Sequence, residues 1–159
     1  MRRSPADSLA VAVGTGIYSG YFPIFPGTVG SAVGIVLYLV LVRLGILAQD
    51  FSAAWLVTVG VVFAGGVLSA HRCETLFGQD NKRIVIDEVW GMLIALFMLP
   101  VSWWWMLWAF LIFRFLDIVK PFPARRAERM GGGLAIMLDD GIAGAYTVLI
   151  LQILKAILG

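Results

Sequence analysis

The sequence predicts an all-α integral membrane protein, a compact bundle of about five transmembrane helices with an N-terminal interfacial helix. Three observations carry that prediction. Of the 159 residues, 60% are hydrophobic and 14% charged, and the mean hydropathy is +0.92, a balance that suits lipid as the solvent. Gly, Pro and charged residues cut the chain into segments close to the roughly 20 residues a bilayer crossing needs. The basic residues are lopsided: Arg2, Arg3, Arg72, Lys82, Arg83, Arg114, Lys120, Arg125, Arg126 and Arg129 fall on one side of those segments, with Arg43 and Lys155 toward the other. Positively charged flanks stay cytoplasmic, so the larger set marks the inner face.

The elements follow in order within one domain, 1–159. Residues 6–18 read as a surface helix. The first span is 29–48, tolerating Arg43 near its end because a long side chain reaches the interface. The second is 53–71. The third, 84–99, and the fourth, 102–119, form a helical hairpin around a turn at Pro100, Val101 and Ser102. The fifth, 139–158, follows a loop containing Gly131, Gly132 and Gly133. Trp103, Trp104 and Trp105 then fall at the outer interface, as an aromatic belt, and small residues such as Gly60 and Ala64 suit close helix packing. A net charge of +2 offers nothing to nucleic acid. Cys73 is the single cysteine, which rules out an internal disulfide or a cysteine-built zinc site. After Arg2 and Arg3 the apolar stretch to Val13 is short and no A-x-A pattern follows, so the N-terminus is expected to be retained.

The acidic residues share the inner face, apart from Asp50. Asp87 and Glu88 open the third span, Asp117 lies in the last turn of the fourth, and Asp139 and Asp140 open the fifth; Asp80 precedes the third. Capping explains an isolated acid at a helix start, and surface pairs with Arg114, Lys120 or Arg125 explain others. Two doubled carboxylates and an acid at a helix C-terminus, where the dipole disfavours it, point instead to a shared site, since ionisable groups at membrane depth are costly. Carboxylates without Cys or His neighbours suit a hard cation, Mg²⁺ first. Such an ion, with Lys120 or a nearby Arg offsetting phosphate charge, suits phosphoryl-transfer chemistry.

The stretch from Ser19 to Ser31 combines hydroxyls and glycines ahead of the first span. It suits a phosphate cradle at a helix N-terminus or an interfacial re-entrant turn, and it lacks the Lys-Ser/Thr ending of a P-loop. His71 reads as the end of the second span. Glu74, Glu128 and Asp7 read as bystanders.

Four blocks in order carry a resemblance: Pro26-Gly27-Thr28-Val29-Gly30-Ser31; Ile86-Asp87-Glu88-Val89-Trp90-Gly91-Met92; Phe113-Arg114-Phe115-Leu116-Asp117-Ile118-Val119-Lys120-Pro121-Phe122-Pro123; and Gly132-Gly133-Leu134-Ala135-Ile136-Met137-Leu138-Asp139-Asp140-Gly141-Ile142-Ala143-Gly144. Across nearly the whole chain the sequence resembles the bacterial phosphatidylglycerophosphatase A family. The resemblance implies a phosphoric monoester hydrolase that converts phosphatidylglycerophosphate to phosphatidylglycerol and inorganic phosphate with Mg²⁺, at the cytoplasmic face of the bacterial inner membrane, with that substrate and bilayer lipid as its partners. The family's polar positions fall on Asp80, Asp87, Glu88, Asp117, Lys120, Asp139 and Asp140, with Thr28 and Ser31 in the first block. On this basis Asp87, Glu88, Asp117, Lys120, Asp139 and Asp140 are expected to be catalytic. Asp80, Asp87, Glu88, Asp139 and Asp140 are the expected metal ligands, and Thr28, Ser31, Lys120 and Arg114 the expected phosphate contacts. Ile86 and Phe122 stand where the family often has Trp, and neither change removes a chemical group. A small carboxylate-lined transporter or ion-binding protein is the alternative, but it calls for charge near the bilayer midplane rather than at one interface. A CDP-alcohol phosphotransferase would show a D-G-x-x-A-R signature that is missing.

Overall fold

Residues 4–48, 51–79 and 81–158, which a computed structural model describes, form seven α-helices and one 3-10 turn, with no strand. Arg2, Arg3, Asp50 and Asp80 lie outside the described residues. The first helix, α1 (Pro5–Gly14), starts at a capping box: the Ser4 hydroxyl accepts from the Asp7 N–H at 3.1 Å, and the Asp7 carboxylate accepts from the Ser4 N–H at 3.4 Å. Asp7, expected to stand apart from the site, is absent from the acidic cavity and has a structural part instead. It also accepts from Arg72 Nε at 2.7 Å, tying α1 to the next long helix but one, and the Arg72 hydrogen bond, with that of Ser4, holds its carboxyl below the usual value.

Among the described residues, three helices are long and apolar enough to cross a bilayer: α2 (Pro26–Arg43), α3 (Ala53–Phe77) and the last, α7 (Gly132–Leu158). Their bounds differ from the expected spans at informative places. Proline at the first position lets α2 begin three residues early, because its fixed φ fits and its missing N–H would be unpaired anyway. His71 does not end the second span; α3 runs on to Phe77 and stops at Gly78, whose φ of 95° only glycine adopts readily. Above all, α7 starts at Gly132, so Asp139 and Asp140 do not open it but lie two turns inside. Helix capping cannot account for them.

The remaining elements are shorter. The expected third span is a helix of ten residues, α4 (Ile86–Ala95), about 15 Å long and so about half of a hydrocarbon core. The fourth is α5 (Trp103–Val119), and a short α6 (Ala124–Glu128), unforeseen from sequence, precedes α7. In α4, Ile86, Val89, Trp90, Gly91, Met92, Leu93 and Ala95 are all buried, which makes it the axis around which α2, α5 and α7 pack. Gly91 permits this: a Cβ there would meet the Phe113 ring at 2.6 Å and the Asp140 carbonyl at 2.8 Å, so α4, α5 and α7 touch at one glycine.

A turn that follows a helix inside a bundle leaves carbonyls without partners, a costly state away from water. Here α7 and α2 supply the donors. Gln152 Nε2 donates to the Phe97 carbonyl at 2.8 Å, Lys155 Nζ to that of Met98 at 3.0 Å, and Tyr38 Oη to that of Leu99 at 3.4 Å. Lys155, expected at the outer side, thus satisfies the turn that follows α4, at the end opposite Asp87.

Candidate active site

The first turn of α4 carries Asp87 and Glu88. Asp140 reaches them because it sits in the inward stripe of α7, in register with buried Met137, Gly144, Thr147 and Leu151, a spacing of three and four that keeps one helix face. α5 contributes Arg114 and Asp117, and Lys120, with φ of 51°, caps its C-terminus. α2 contributes its first turn, Pro26 and Gly27. All of these, with Asp139, line one cavity of about 960 Å³.

The charges divide into two sets. Arg114 Nη1 donates to Asp117 Oδ2 at 2.6 Å, and Lys120 Nζ to Asp139 Oδ2 at 2.5 Å. Asp87, Glu88 and Asp140 form the other set, each offering a carboxylate oxygen within 4.8 Å of the others. Asp87 Oδ1, Glu88 Oε2 and Asp140 Oδ2 are buried and accept no hydrogen bond. Buried carboxylate oxygens left unpaired cost several kcal/mol each, roughly, and mutual repulsion adds to that. A hard divalent cation takes oxygen ligands from carboxylates and would offset that cost, so the donor set fits such an ion.

Gly27 shows how tightly the first block meets the second. A Cβ on it would run into Glu88 Oε1 and lie 3.2 Å from Arg114 Nη1, so only glycine lets the α2 backbone lie against this acid and this guanidinium. Of the two hydroxyls expected to bind phosphate, Ser31 is buried and donates to the Gly27 carbonyl at 3.0 Å, steadying that turn from within its own helix. Thr28 lies in the same turn and is not part of the cavity wall.

The cavity wall also includes residues that sequence reasoning passed over: Glu74, Gln79, Asn81 and Lys82. The unbroken run from His71 to Phe77, with no Gly or Pro before Gly78, was the available signal that α3 continues and carries Glu74 to the site. His71 itself is exposed on α3 and is not part of that wall. The side chain of Glu128 lies outside the described residues.

Residues 12–155 match the family described as phosphatidylglycerophosphatase A. The chain belongs to the phosphatidylglycerophosphatase A family. Its relatives agree along most of their length. A phosphatidylglycerophosphatase A of Escherichia coli is 39% identical over 147 residues, covering 89% of this chain and 79% of the relative. That of Haemophilus influenzae is 36% identical over 151 residues, 92% and 86% of the two chains. A Bacteroides thetaiotaomicron protein, provisionally named a phosphatidylinositol-3-phosphatase, is 33% identical over 157 residues, 95% and 96% of the two chains. No solved structure matches this member of the family. Membership makes the chain a phosphatase of phospholipid metabolism, and the acidic cavity is where its phosphatidylglycerophosphatase blocks converge.

Proposed function

We propose that this chain hydrolyses the phosphomonoester of phosphatidylglycerophosphate, releasing phosphatidylglycerol and inorganic phosphate, with Mg²⁺ held by Asp87, Glu88 and Asp140. The observation that carries this reading is the trio of buried carboxylate oxygens without hydrogen bonds, beside two cations already oriented by acids. Mg²⁺ bound there would polarise a phosphoryl oxygen and acidify a bound water. Arg114 and Lys120 offset the charge of the phosphate, and they do so from fixed positions because Asp117 and Asp139 hold them. Asp117 and Asp139 thus act through their cationic partners rather than as ligands. The first turn of α2 presents its positive end to the same cavity, which favours an anion there.

The setting in this reading is the bacterial inner membrane, with the cavity facing the cytoplasm and α4 and α5 completing a five-helix bundle around the three long helices. Charge gathered at one end of α4 supports catalysis at an interface over a transport path through the bilayer.

The names of the relatives also describe one substrate chemistry. In phosphatidylglycerophosphate, a phosphomonoester and a phosphodiester flank a single hydroxyl-bearing carbon of glycerol. Phosphatidylinositol 3-phosphate has the same arrangement on its ring. A lipid with that pattern is the substrate class we assign.

Purified protein in detergent is expected to release phosphate from phosphatidylglycerophosphate with Mg²⁺ and to stop when a chelator is added. Undiminished turnover in chelator would refute the carboxylate trio as a metal site.

A further inference from the structure

Beyond the acidic cavity lies a second, of about 700 Å³, and the two share a wall at Lys82. Its floor is unusual for a loop. The Arg83 guanidinium lies 5.0 Å from the centre of the Tyr21 ring and 5.7 Å from that of Phe77, so two aromatic faces hold one cation in place. The backbone is fixed as well: the Arg83 N–H donates to Asn81 Oδ1 at 3.2 Å, and Asn81 Nδ2 donates to the Phe77 carbonyl at 3.1 Å. Gly20 is buried against the Arg83 carbonyl, where a Cβ would collide. A long cationic side chain ordinarily loses conformational freedom on binding an anion, and here much of that loss has been met in advance.

Exposed apolar side chains stand beside the two cavities. Phe22, on the wall of the second, is 56% exposed, and Ile24, on that of the acidic cavity, 63%, surface that belongs in lipid rather than water. A cation fixed beside such side chains and next to a charged cavity suits the phosphodiester of a phospholipid bound by its headgroup, which lies between acyl chains and polyol.

We infer that Arg83, with Lys82, is the phosphodiester subsite, so that the enzyme selects lipids carrying a diester and a phosphomonoester on one polyol. The inference rests on the reaction proposed above. It makes Arg83 and Lys82 determinants of specificity and leaves the hydrolysis to the acidic cavity. The charge-assisted hydrogen bonds that a guanidinium makes to a phosphate carry enough energy for about tenfold or more in discrimination.

The test compares phosphatidylglycerophosphate with phosphatidic acid, which has the phosphomonoester and no diester, in vesicles of constant anionic content. Wild type is expected to prefer the former strongly in kcat/KM. Arg83→Ala should narrow the ratio by about tenfold, Arg83→Lys should recover part of it, and Lys82→Ala should narrow it less. Because each ratio is taken on one sample, a poorly folded fraction cancels. An equal loss on both lipids would mean that Arg83 only draws the protein to anionic membrane, and would overturn the assignment, as would a wild type without preference. If wild type cleaves neither lipid, the proposed reaction falls. The subsite is then judged by binding of phosphatidylglycerol, which carries the diester alone, to protein in nanodiscs: weaker binding in Arg83→Ala supports it, and unchanged binding overturns it.

Discussion

Asp87, Glu88 and Asp140 each hold one buried carboxylate oxygen that no donor reaches, a costly arrangement in a folded protein. Such strain is tolerated at functional sites and relieved by neutral substitution. Asp87→Asn and Asp140→Asn should therefore each lower phosphate release on the order of a thousandfold. Each should also raise the midpoint of thermal unfolding in chelator, relative to wild type. Light scattering and calorimetry on the purified variants check the second half, and a lowered midpoint would show that these acids stabilise the fold. Gly27→Ala is the matching test of close approach. Its methyl displaces Glu88 and the Arg114 guanidinium, so activity should fall by at least about tenfold while the variant still inserts, as read by its helical circular dichroism. The residue types of the site could be read from the chain, since doubled carboxylates in an apolar sequence are conspicuous. The division of labour could not. Nothing in the sequence separates Asp139, paired with Lys120, from its neighbour Asp140, because one step along a helix turns a side chain by about 100° and only the packing of α7 says which way is inward.

At the scale of the element, α4 is the helix that most needs explanation. An apolar stretch of span length proved to be a ten-residue helix followed by a turn, and hydropathy could not show this because Leu96, Phe97, Met98 and Leu99 are as apolar as the helix before them. Its end is stable because Gln152, Lys155 and Tyr38 donate to the carbonyls of that turn. Gln152→Leu should remove one such donor and destabilise the protein by about 1–3 kcal/mol, measured by thermal denaturation in detergent, while KM for the lipid stays as in wild type. A change in KM without a loss of stability would contradict this separation of ends. The early stop expected for α3 and the late start expected for α7 share a cause. Charge and glycine were taken as punctuation, yet in this bundle His71, Arg72 and Glu74 continue a helix toward the interface, and Gly133 permits close packing against α3 rather than a loop.

For the molecule as a whole, the two ends of the bundle differ in chemistry. One holds the acidic cavity, with Lys82 on its wall, and the second cavity with Arg83; the other exposes Trp103 and Trp104 at the start of α5. Cys73 is fully buried, so single cysteines can be read against a quiet background. In cells, a cysteine placed at Lys82 should react only with membrane-permeant reagents, and one placed at Trp104 should react with impermeant ones as well; the opposite pattern would invert the proposed topology. The chain by itself determined the helical class, the long apolar helices and the family blocks, because composition, hydropathy and residue type are local properties. Only the tertiary structure decided which carboxylates meet, which are already paired with a cation, why glycine stands at position 27, and that Arg83 packs against two rings. Those depend on helix rotation, depth and termination, which are set when helices from distant parts of the chain pack together and satisfy one another's polar groups in a medium that offers no water to do so.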